Sequence, residues 1–108
     1  MIEALVGNGT VEKVLFFLAT YGDGYAKQMA DIFRLRISGI QQQLRRLENG
    51  GVVVSRLVGR TRVYSFNPNC YFLAELRQLL EKAMVALPEK ELAQYYRRRT
   101  RPRRTGKP

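Results

Sequence analysis

The sequence contains no histidine and a single cysteine, Cys70. An intramolecular disulfide and a metal site built from Cys and His ligands are therefore excluded. The longest apolar run, Val14 to Ala19, is far shorter than the about 20 residues that a membrane-spanning helix needs. The amino-terminal segment MIEALVGNG is too short and too acidic for a secretory signal. We therefore expect a cytoplasmic protein that binds no metal, no cofactor and no membrane.

Groupings of side chains that perform catalysis are also missing. General acid and base catalysis needs two tuned groups that converge in a pocket, but the acidic residues fall on the polar faces of the predicted helices. No Ser, Cys or Lys stands in a recognisable nucleophile motif. The sequence therefore predicts that the chain is not an enzyme. Cys70 fits a small buried apolar group, a redox-sensing thiol or a bond between two subunits.

The positive charge of the chain is concentrated in two places. Of the 19 basic residues, seven lie from Arg97 to Lys107, where no acidic residue occurs. Residues 34–62 contain seven arginines and one acid, Glu48, a net charge of +6, whereas the rest of residues 1–96 has a net charge of −3. Such segregation indicates a surface that binds a polyanion. The alternative is a set of solvated surface arginines.

The first part of this basic segment completes a helix-turn-helix pattern. Helical spacing predicts a first helix over residues 25–33, a turn at 34–36 in which Leu35 fills the core, and a second helix from 37 or 38 to 49. In the second helix, Ile40, Leu44 and Leu47 form one apolar stripe with polar side chains opposite. Gln and Arg side chains reach base edges and phosphates in a major groove. We therefore predict that this helix reads double-stranded DNA through Arg36, Ser38, Gln42 and Arg45.

A strand-like hairpin follows the second helix directly. Residues 52–58 and 62–66 have the β-branched and aromatic content of strands, and Gly59 and Arg60 between them suit a tight turn. Such a hairpin converts a helix-turn-helix into a winged one. Arginines at its open end, Arg56, Arg60 and Arg62, are predicted to contact phosphates or to enter a minor groove. The alternative is that their charge keeps an exposed edge strand from aggregating.

The flanking segments are predicted to build the core and a dimer interface. The lead at residues 1–6 is expected to lie across the body or a partner subunit. Thr10 is expected to cap a helix over residues 11–20 with neighbours on two sides, one of which can belong to a second subunit. The helix predicted over residues 71–87 has an apolar stripe wide enough for a core and a dimer seam. The dimer interface is predicted to consist of Phe72, Leu76, Leu79, Leu80, Ala83, Met84 and Leu87.

One domain and one tail account for the whole chain. A short helix is predicted from Pro88 onward, and the residues from Thr100 cannot bury a core. We therefore divide the chain into a winged helix-turn-helix domain at residues 1–96 and a basic, disordered tail at residues 97–108. The tail either grips phosphates without regard to sequence or only keeps the chain soluble. The predicted fold is mostly α with a small β-hairpin wing, an α+β class, with a C-terminal dimerisation helix.

The sequence resembles the winged-helix regulators of the arsenic-repressor-like superfamily, in particular a branch of short prokaryotic proteins. The motif QQQLRRLENGGVVVSRLVGRTRVYSFNP, residues 41–68, carries the resemblance, which extends over residues 2–87. It implies a homodimeric transcription regulator and adds Gln41 and Arg46 to Ser38, Gln42 and Arg45 at the groove, with Arg60 and Arg62 in the wing. The chain lacks the paired cysteines, or acid and histidine ligands, of metal-sensing members, so metal sensing is not implied.

Three hypotheses for the function remain open. The first is a sequence-specific, DNA-binding repressor or activator. The second is an RNA-binding or general nucleoid-type protein in which the basic tail dominates binding. The third is an interaction module whose surface at residues 71–87 contacts another protein, because related winged helices occur fused or adjacent to nucleotidyltransferase domains.

Overall fold

The computed structural model describes residues 1–96, which form six helices and a three-stranded sheet. The tail predicted at residues 97–108 lies outside the described residues. Within residues 1–96, no helix combines the length and the apolar character needed to cross a membrane. In chain order the elements are α1 (Glu3–Val6), α2 (Gly9–Tyr21), β1 (Asp23–Tyr25), α3 (Ala26–Phe33), α4 (Ile37–Asn49), β2 (Val53–Val58), β3 (Thr61–Phe66), α5 (Leu73–Val85) and α6 (Glu89–Tyr95).

The core is built around α2, which is buried on almost every side. Val14 and Leu18 lie on one side of the helix and Phe16 lies on the opposite side, and the relative exposure of each is 0%. Helices α1, α3, α4 and α5 all pack against α2 within the one chain. The two neighbouring sides expected from the sequence are therefore both covered by the chain itself.

The start of α2 differs from the prediction. Asn8, and not Thr10, caps the helix, because its Oδ1 accepts a hydrogen bond from the backbone N–H of Val11 at 2.8 Å. Thr10 lies inside the first turn, so the helix begins two residues before the predicted start. The capping asparagine also ends the turn that separates α1 from α2.

The amino-terminal lead lies across the body of the chain, one of the two placements expected from the sequence. The buried carboxylate of Glu12 accepts a hydrogen bond from the backbone N–H of Ile2, which holds α1 against α2. Ile2 and Val6 pack against the core, whereas Leu5 is 69% exposed. Leu5 of the lead is therefore left at the surface.

Helices α3 and α4 form the predicted helix-turn-helix. Arg34 ends α3 in the left-handed conformation, with φ at 57°, which turns the chain sharply. Leu35 is half-buried and packs against the core, as predicted. Ile40 and Leu44 anchor α4 with no exposed surface, and α4 in turn packs against both α2 and α3.

The wing is the outer part of a three-stranded antiparallel sheet with the strand order β1-β3-β2. The hairpin predicted from the sequence is confirmed, and its turn uses Gly59 with φ at 65°. Strand β1 was not predicted. It pairs Tyr25 with Val63 and so ties the start of α3 to the root of the wing. The predicted class, mostly α with a small β-hairpin wing, is confirmed.

Helix α5 is shorter than predicted, and one side of it packs into the core. Leu80, Ala83 and Leu87 were predicted at a dimer interface, but they are 0%, 8% and 8% exposed within one chain. The prediction is wrong for these three side chains, because the chain itself already covers them. Leu76 and Met84 are half-buried against the core. Phe72, directly before α5, is 49% exposed, and Leu79, on α5, is 38% exposed.

The short helix α6 closes the open end of the core with aromatic side chains. The hydroxyl of Tyr21 donates a hydrogen bond to the backbone oxygen of Tyr95 at 2.7 Å. Tyr96 is buried, with its ring 5.6 Å from that of Phe16 and 6.0 Å from that of Phe33. The Tyr96 hydroxyl has no hydrogen-bond partner among residues 1–96. Burial raises the pKa of Tyr96, and the carboxylates of Glu91 and Glu12 act in the same direction.

Gly24 is a position at which any side chain would collide with the core. A Cβ there would lie 2.5 Å from Cε1 of Phe17 and 2.9 Å from Cε of Met29. Phe17 is buried and cannot turn away, so Gly24→Ala should lower the free energy of unfolding by about 1–3 kcal/mol. Gly39→Ala is the control, because a Cβ on Gly39 would meet no side chain of residues 1–96 within 4 Å and alanine favours a helix. Equal urea midpoints for the two variants would contradict the close packing at Gly24.

The unpaired hydroxyl of Tyr96 leads to a second stability prediction. Removing it in Tyr96→Phe should raise the free energy of unfolding at neutral pH by about 1 kcal/mol. The folded chain holds the phenol proton more tightly than the unfolded chain, so the stability contributed by Tyr96 is lost as the pH rises above about 10, through the raised pKa. Urea unfolding at increasing pH should therefore show a smaller alkaline loss in the variant. A variant that is less stable at neutral pH would contradict the unpaired state of the hydroxyl.

Candidate nucleic-acid interface

Helix α4 presents one polar face to solvent. Its apolar stripe faces α2, and the side chains on the opposite side are exposed because the helix repeats every 3.6 residues. These exposed side chains are Ser38, Gln41, Gln42, Arg45, Arg46 and Asn49. Arg36 is exposed directly before the helix, where it has an extended backbone, with φ at −66° and ψ at 134°. The polar residues predicted to read a groove thus share the exposed side of one helix.

A basic cleft separates α4 from the wing. It has a volume of about 530 Å³ and is lined on the α4 side by Gln41 and Arg45 and on the wing side by Arg60 and Arg62. Lys27, at the start of α3, adds a fourth cationic side chain to the lining. Four cationic side chains therefore surround one concave surface, and the sequence reasoning had not included Lys27. Lys27 lies near the cleft because it follows strand β1, and that strand was not predicted from the sequence.

Arg46 is turned away from this cleft. Its Nη1 donates a hydrogen bond to Oε1 of Gln43 at 3.1 Å, and a Cβ on Gly7 would lie 3.3 Å from the same nitrogen. The guanidinium group lies at the rim of a separate, mainly apolar cavity of about 290 Å³ that Val6 and Phe72 also line. The structure therefore does not bring Arg46 together with the wing arginines.

The three wing arginines do not share one face of the sheet. Side chains alternate along a strand, so Arg62 lies on the same face as the buried Tyr64, toward α4. Arg56 lies on the outer face and forms an ion pair with Asp23 of β1, with Nη2 and Oδ2 3.5 Å apart. Of the three wing arginines predicted to contact DNA, only Arg60 and Arg62 line the cleft.

A chain of hydrogen bonds connects the end of α4 with the wing. The hydroxyl of Ser55 donates to Oε2 of Glu48 at 2.6 Å, and Nη1 of Arg62 donates to Oγ of Ser55 at 3.0 Å. Burial raises the pKa of the neighbouring Tyr64, the Glu48 carboxylate adds to that rise, and Arg62 and Arg45 oppose it. Sequence reasoning missed Glu48 and Ser55. The available signal was that Glu48 is the single acid among residues 34–62.

The structure shows no gathering of metal ligands in the part of the chain that it describes. Residues 1–96 contain no group of three or more Cys, Asp or Glu side chains placed to hold a metal ion. Cys70 is half-buried just before α5, and its thiol is free. The interface is therefore described by its cationic and amide side chains alone.

Comparison with known proteins identifies the fold. No family model matches the chain, and no curated protein matches it either. Among solved structures, the chain is similar to the antimony-specific transcriptional repressor AntR, with 19% identity, 83% of this chain and 77% of that chain covered, and a TM-score of 0.64. It is also similar to YusO from Bacillus subtilis, with 20% identity, coverages of 86% and 72%, and a TM-score of 0.59.

A transcription regulator of the MarR family is similar as well, with 18% identity, 82% of this chain and 64% of that chain covered, and a TM-score of 0.56. These similarities concern the fold, because all three identities are low. The narrower placement among arsenic-repressor-like proteins stays a prediction. The chain has the winged helix-turn-helix fold seen in transcription regulators.

Proposed function

We propose that the chain is a DNA-binding transcription regulator that acts as a homodimer. Helix α4 enters the major groove and presents Ser38, Gln41 and Gln42 to base edges, with Arg36 and Arg45 at the adjacent backbone. The observation that carries this proposal is the basic cleft between α4 and the wing. Its four cationic side chains come from three separate elements, and they converge on one concave surface.

The cleft has the place and the charge to hold the DNA backbone between two grooves. When a helix lies in the major groove and the adjacent hairpin reaches the minor groove, a phosphodiester strand passes between them. Arg45 and Arg62 line the two sides of the cleft and can each donate two parallel hydrogen bonds to a phosphate. Arg60, at the exposed tip, is the wing residue placed to reach the minor groove.

Arg46 and Arg56 take minor parts in the proposed contact. Arg46 faces the cavity beside α1, and Arg56 is paired with Asp23 on the outer face of the sheet. Both remain exposed and add to the positive field that attracts DNA. We therefore assign them to long-range attraction and not to base recognition.

An exposed apolar surface across α1 and α5 supports a homodimer. Phe72, directly before α5, and Leu79, on α5, lie to one side of the apolar stripe that packs into the core. Both side chains remain partly exposed. Val6 and Phe72 line the same cavity, so α1 with its exposed Leu5 lies beside this part of α5. A two-fold pair of chains would cover these side chains and place two reading helices about 34 Å apart on one side of the duplex. Leu76 and Met84 would contribute only their exposed edges.

The proposal assigns no catalytic role and no bound metal to the chain, and it places the protein in the cytoplasm with its DNA. Two proteins of similar structure, a transcriptional repressor and a transcription regulator, support regulation of transcription as the role. The selection experiment below identifies the operator.

Selection of sheared genomic DNA from the encoding organism tests the proposed function. The purified chain at near-physiological salt should enrich one palindromic motif, with or without residues 97–108. Arg45→Ala should reduce affinity for that motif by about tenfold, because a contact to a base or phosphate is lost. Arg56→Ala removes the same charge from the outer face and is the matched control, with less than about threefold loss. Sequencing of the retained DNA and titration of the selected duplex give both numbers.

The opposite results separate the hypotheses. Uniform recovery that disappears without residues 97–108 would support the general nucleoid-type or RNA-binding protein. An equal loss in Arg45→Ala and Arg56→Ala would reduce the interaction to net charge and contradict reading by α4. A lack of any retained DNA would leave the RNA-binding protein and the interaction module as the remaining hypotheses.

The dimer is tested by two aspartate substitutions on one helix. Leu79→Asp places a charge in the proposed interface and should raise the dimer dissociation constant by at least about tenfold. Val85→Asp is the matched control, because Val85 is 82% exposed on a different side of α5 from Leu79. Sedimentation velocity at micromolar concentration should give a dimer for the wild type and for Val85→Asp, and a monomer for Leu79→Asp. A wild-type mass of one chain would contradict the dimer.

A further inference from the structure

Glu48 is an unusual residue for a surface that contacts DNA. It is the single acid among residues 34–62, and it lies in the last turn of the helix proposed to enter the major groove. A carboxylate near phosphates repels them, so electrostatics alone would favour any neutral residue there. Glu48 is half-buried, and its Oε2 accepts a short hydrogen bond of 2.6 Å from Ser55. Its carboxylate is therefore engaged within the protein.

The direction of each bond in this chain is fixed by chemistry. An ionised carboxylate can only accept hydrogen bonds, and a guanidinium group can only donate them. Ser55 has one hydroxyl hydrogen, which goes to Glu48, and its oxygen then accepts from Arg62 at 3.0 Å. A serine between an acceptor and a donor thus holds both charged groups in one orientation.

Ser55 is also the last sheltered residue of strand β2. Val53 is buried and Ser55 is half-buried, whereas residues 56–58 are all exposed. Beyond Ser55 the hairpin extends three residues to its turn, a distance of about 10 Å at 3.4 Å per residue. If the hairpin rotated slightly about the level of Ser55, the tip, including Arg60, would therefore move several times as far as residues close to Ser55.

We propose that Glu48 and Ser55 are positioning residues that fix the wing against α4 and hold the Arg62 guanidinium toward the cleft. This inference rests on the proposed function, in which the cleft holds the DNA backbone. Glu48 thus favours DNA binding by positioning the wing, although its negative charge repels the DNA phosphates. Two explanations of Glu48 then predict opposite signs: removal of a mere repelling charge tightens DNA binding, whereas removal of the tie weakens it.

Variants of equal charge separate geometry from electrostatics. Glu48→Gln and Glu48→Leu both remove the negative charge, but only glutamine keeps an oxygen that accepts from Ser55. Binding of a fluorescein-labelled DNA duplex of mixed sequence at low salt is measured by anisotropy. Glu48→Leu should bind the duplex about three- to tenfold more weakly than Glu48→Gln, the range expected for the loss of one hydrogen bond. Equal or tighter binding by Glu48→Leu would overturn the positioning role.

Ser55 gives a second, uncharged test. Ser55→Ala breaks both hydrogen bonds without changing the net charge and should weaken binding by about three- to tenfold. Ser55→Thr keeps the hydroxyl and should restore binding to within about twofold of the wild type. Ser65→Ala removes a hydroxyl from the opposite face of the same sheet and should leave binding unchanged. A failure of threonine to restore binding would contradict the role of the hydroxyl.

A measurement on the free protein tests the tie without DNA. Nitrogen relaxation of the Arg62 side chain should report a more mobile Nε–H in Ser55→Ala and Glu48→Leu than in the wild type and Ser65→Ala. Thermal unfolding of each variant confirms that it is folded. Unchanged Arg62 mobility in the folded variants would overturn the inference whatever the DNA result.

Arg45→Ala distinguishes failure of this inference from failure of the proposed function. If Arg45→Ala weakens binding while Ser55→Ala and Glu48→Leu do not, DNA binding stands and the positioning role is wrong. If the wild-type chain does not bind the duplex, the proposed function fails, and the role of Glu48 and Ser55 in DNA binding fails with it.

Discussion

The burial of α2 on almost every side is the constraint on which the rest of the fold depends. A helix with Val14, Phe16 and Leu18 all completely buried cannot lie at a surface, so neighbouring elements must surround it. The short chain meets this requirement with α1, α3, α4 and α5, and it closes the remaining end with the aromatic side chains of α6. Each surrounding helix then packs one apolar side against α2, and this packing fixes the direction in which its polar side points.

The candidate interface is a consequence of this packing. Because Ile40 and Leu44 of α4 are held against the core, Gln42 and Arg45 are directed outward without further support. The wing needs separate support, since most of its surface touches only solvent. Strand β1 supplies it at the root through the pairs with β3, and the Glu48 to Ser55 bond supplies it at the level of α4.

The sequence predicted what depends on local pattern and missed what depends on partners distant in the chain. The helical period located α4 and its polar face, and β-branched content located the hairpin. The strand β1 was missed because three residues containing a glycine carry no strand signal until β3 pairs with them. The wide apolar stripe of α5 could not show that Leu80 faces the core while Leu79 keeps exposed surface. Likewise, the opposite placement of Arg56 and Arg62 follows from the register of the hairpin.

The strand order β1-β3-β2 gives the wing a direction in which it opens. At its root β3 is paired on both sides, so a fluctuation that separates it from β2 still leaves it held by β1. Strand β2 has one paired side, and its outer residues have no buried side chain. Local opening therefore begins at the tip and along β2, and amide hydrogens near Tyr64 exchange with solvent last among those of the sheet. The tip, which includes Arg60, is thus the part of the sheet least protected from local opening. Arg62 lies on β3, a strand whose root stays paired on both sides.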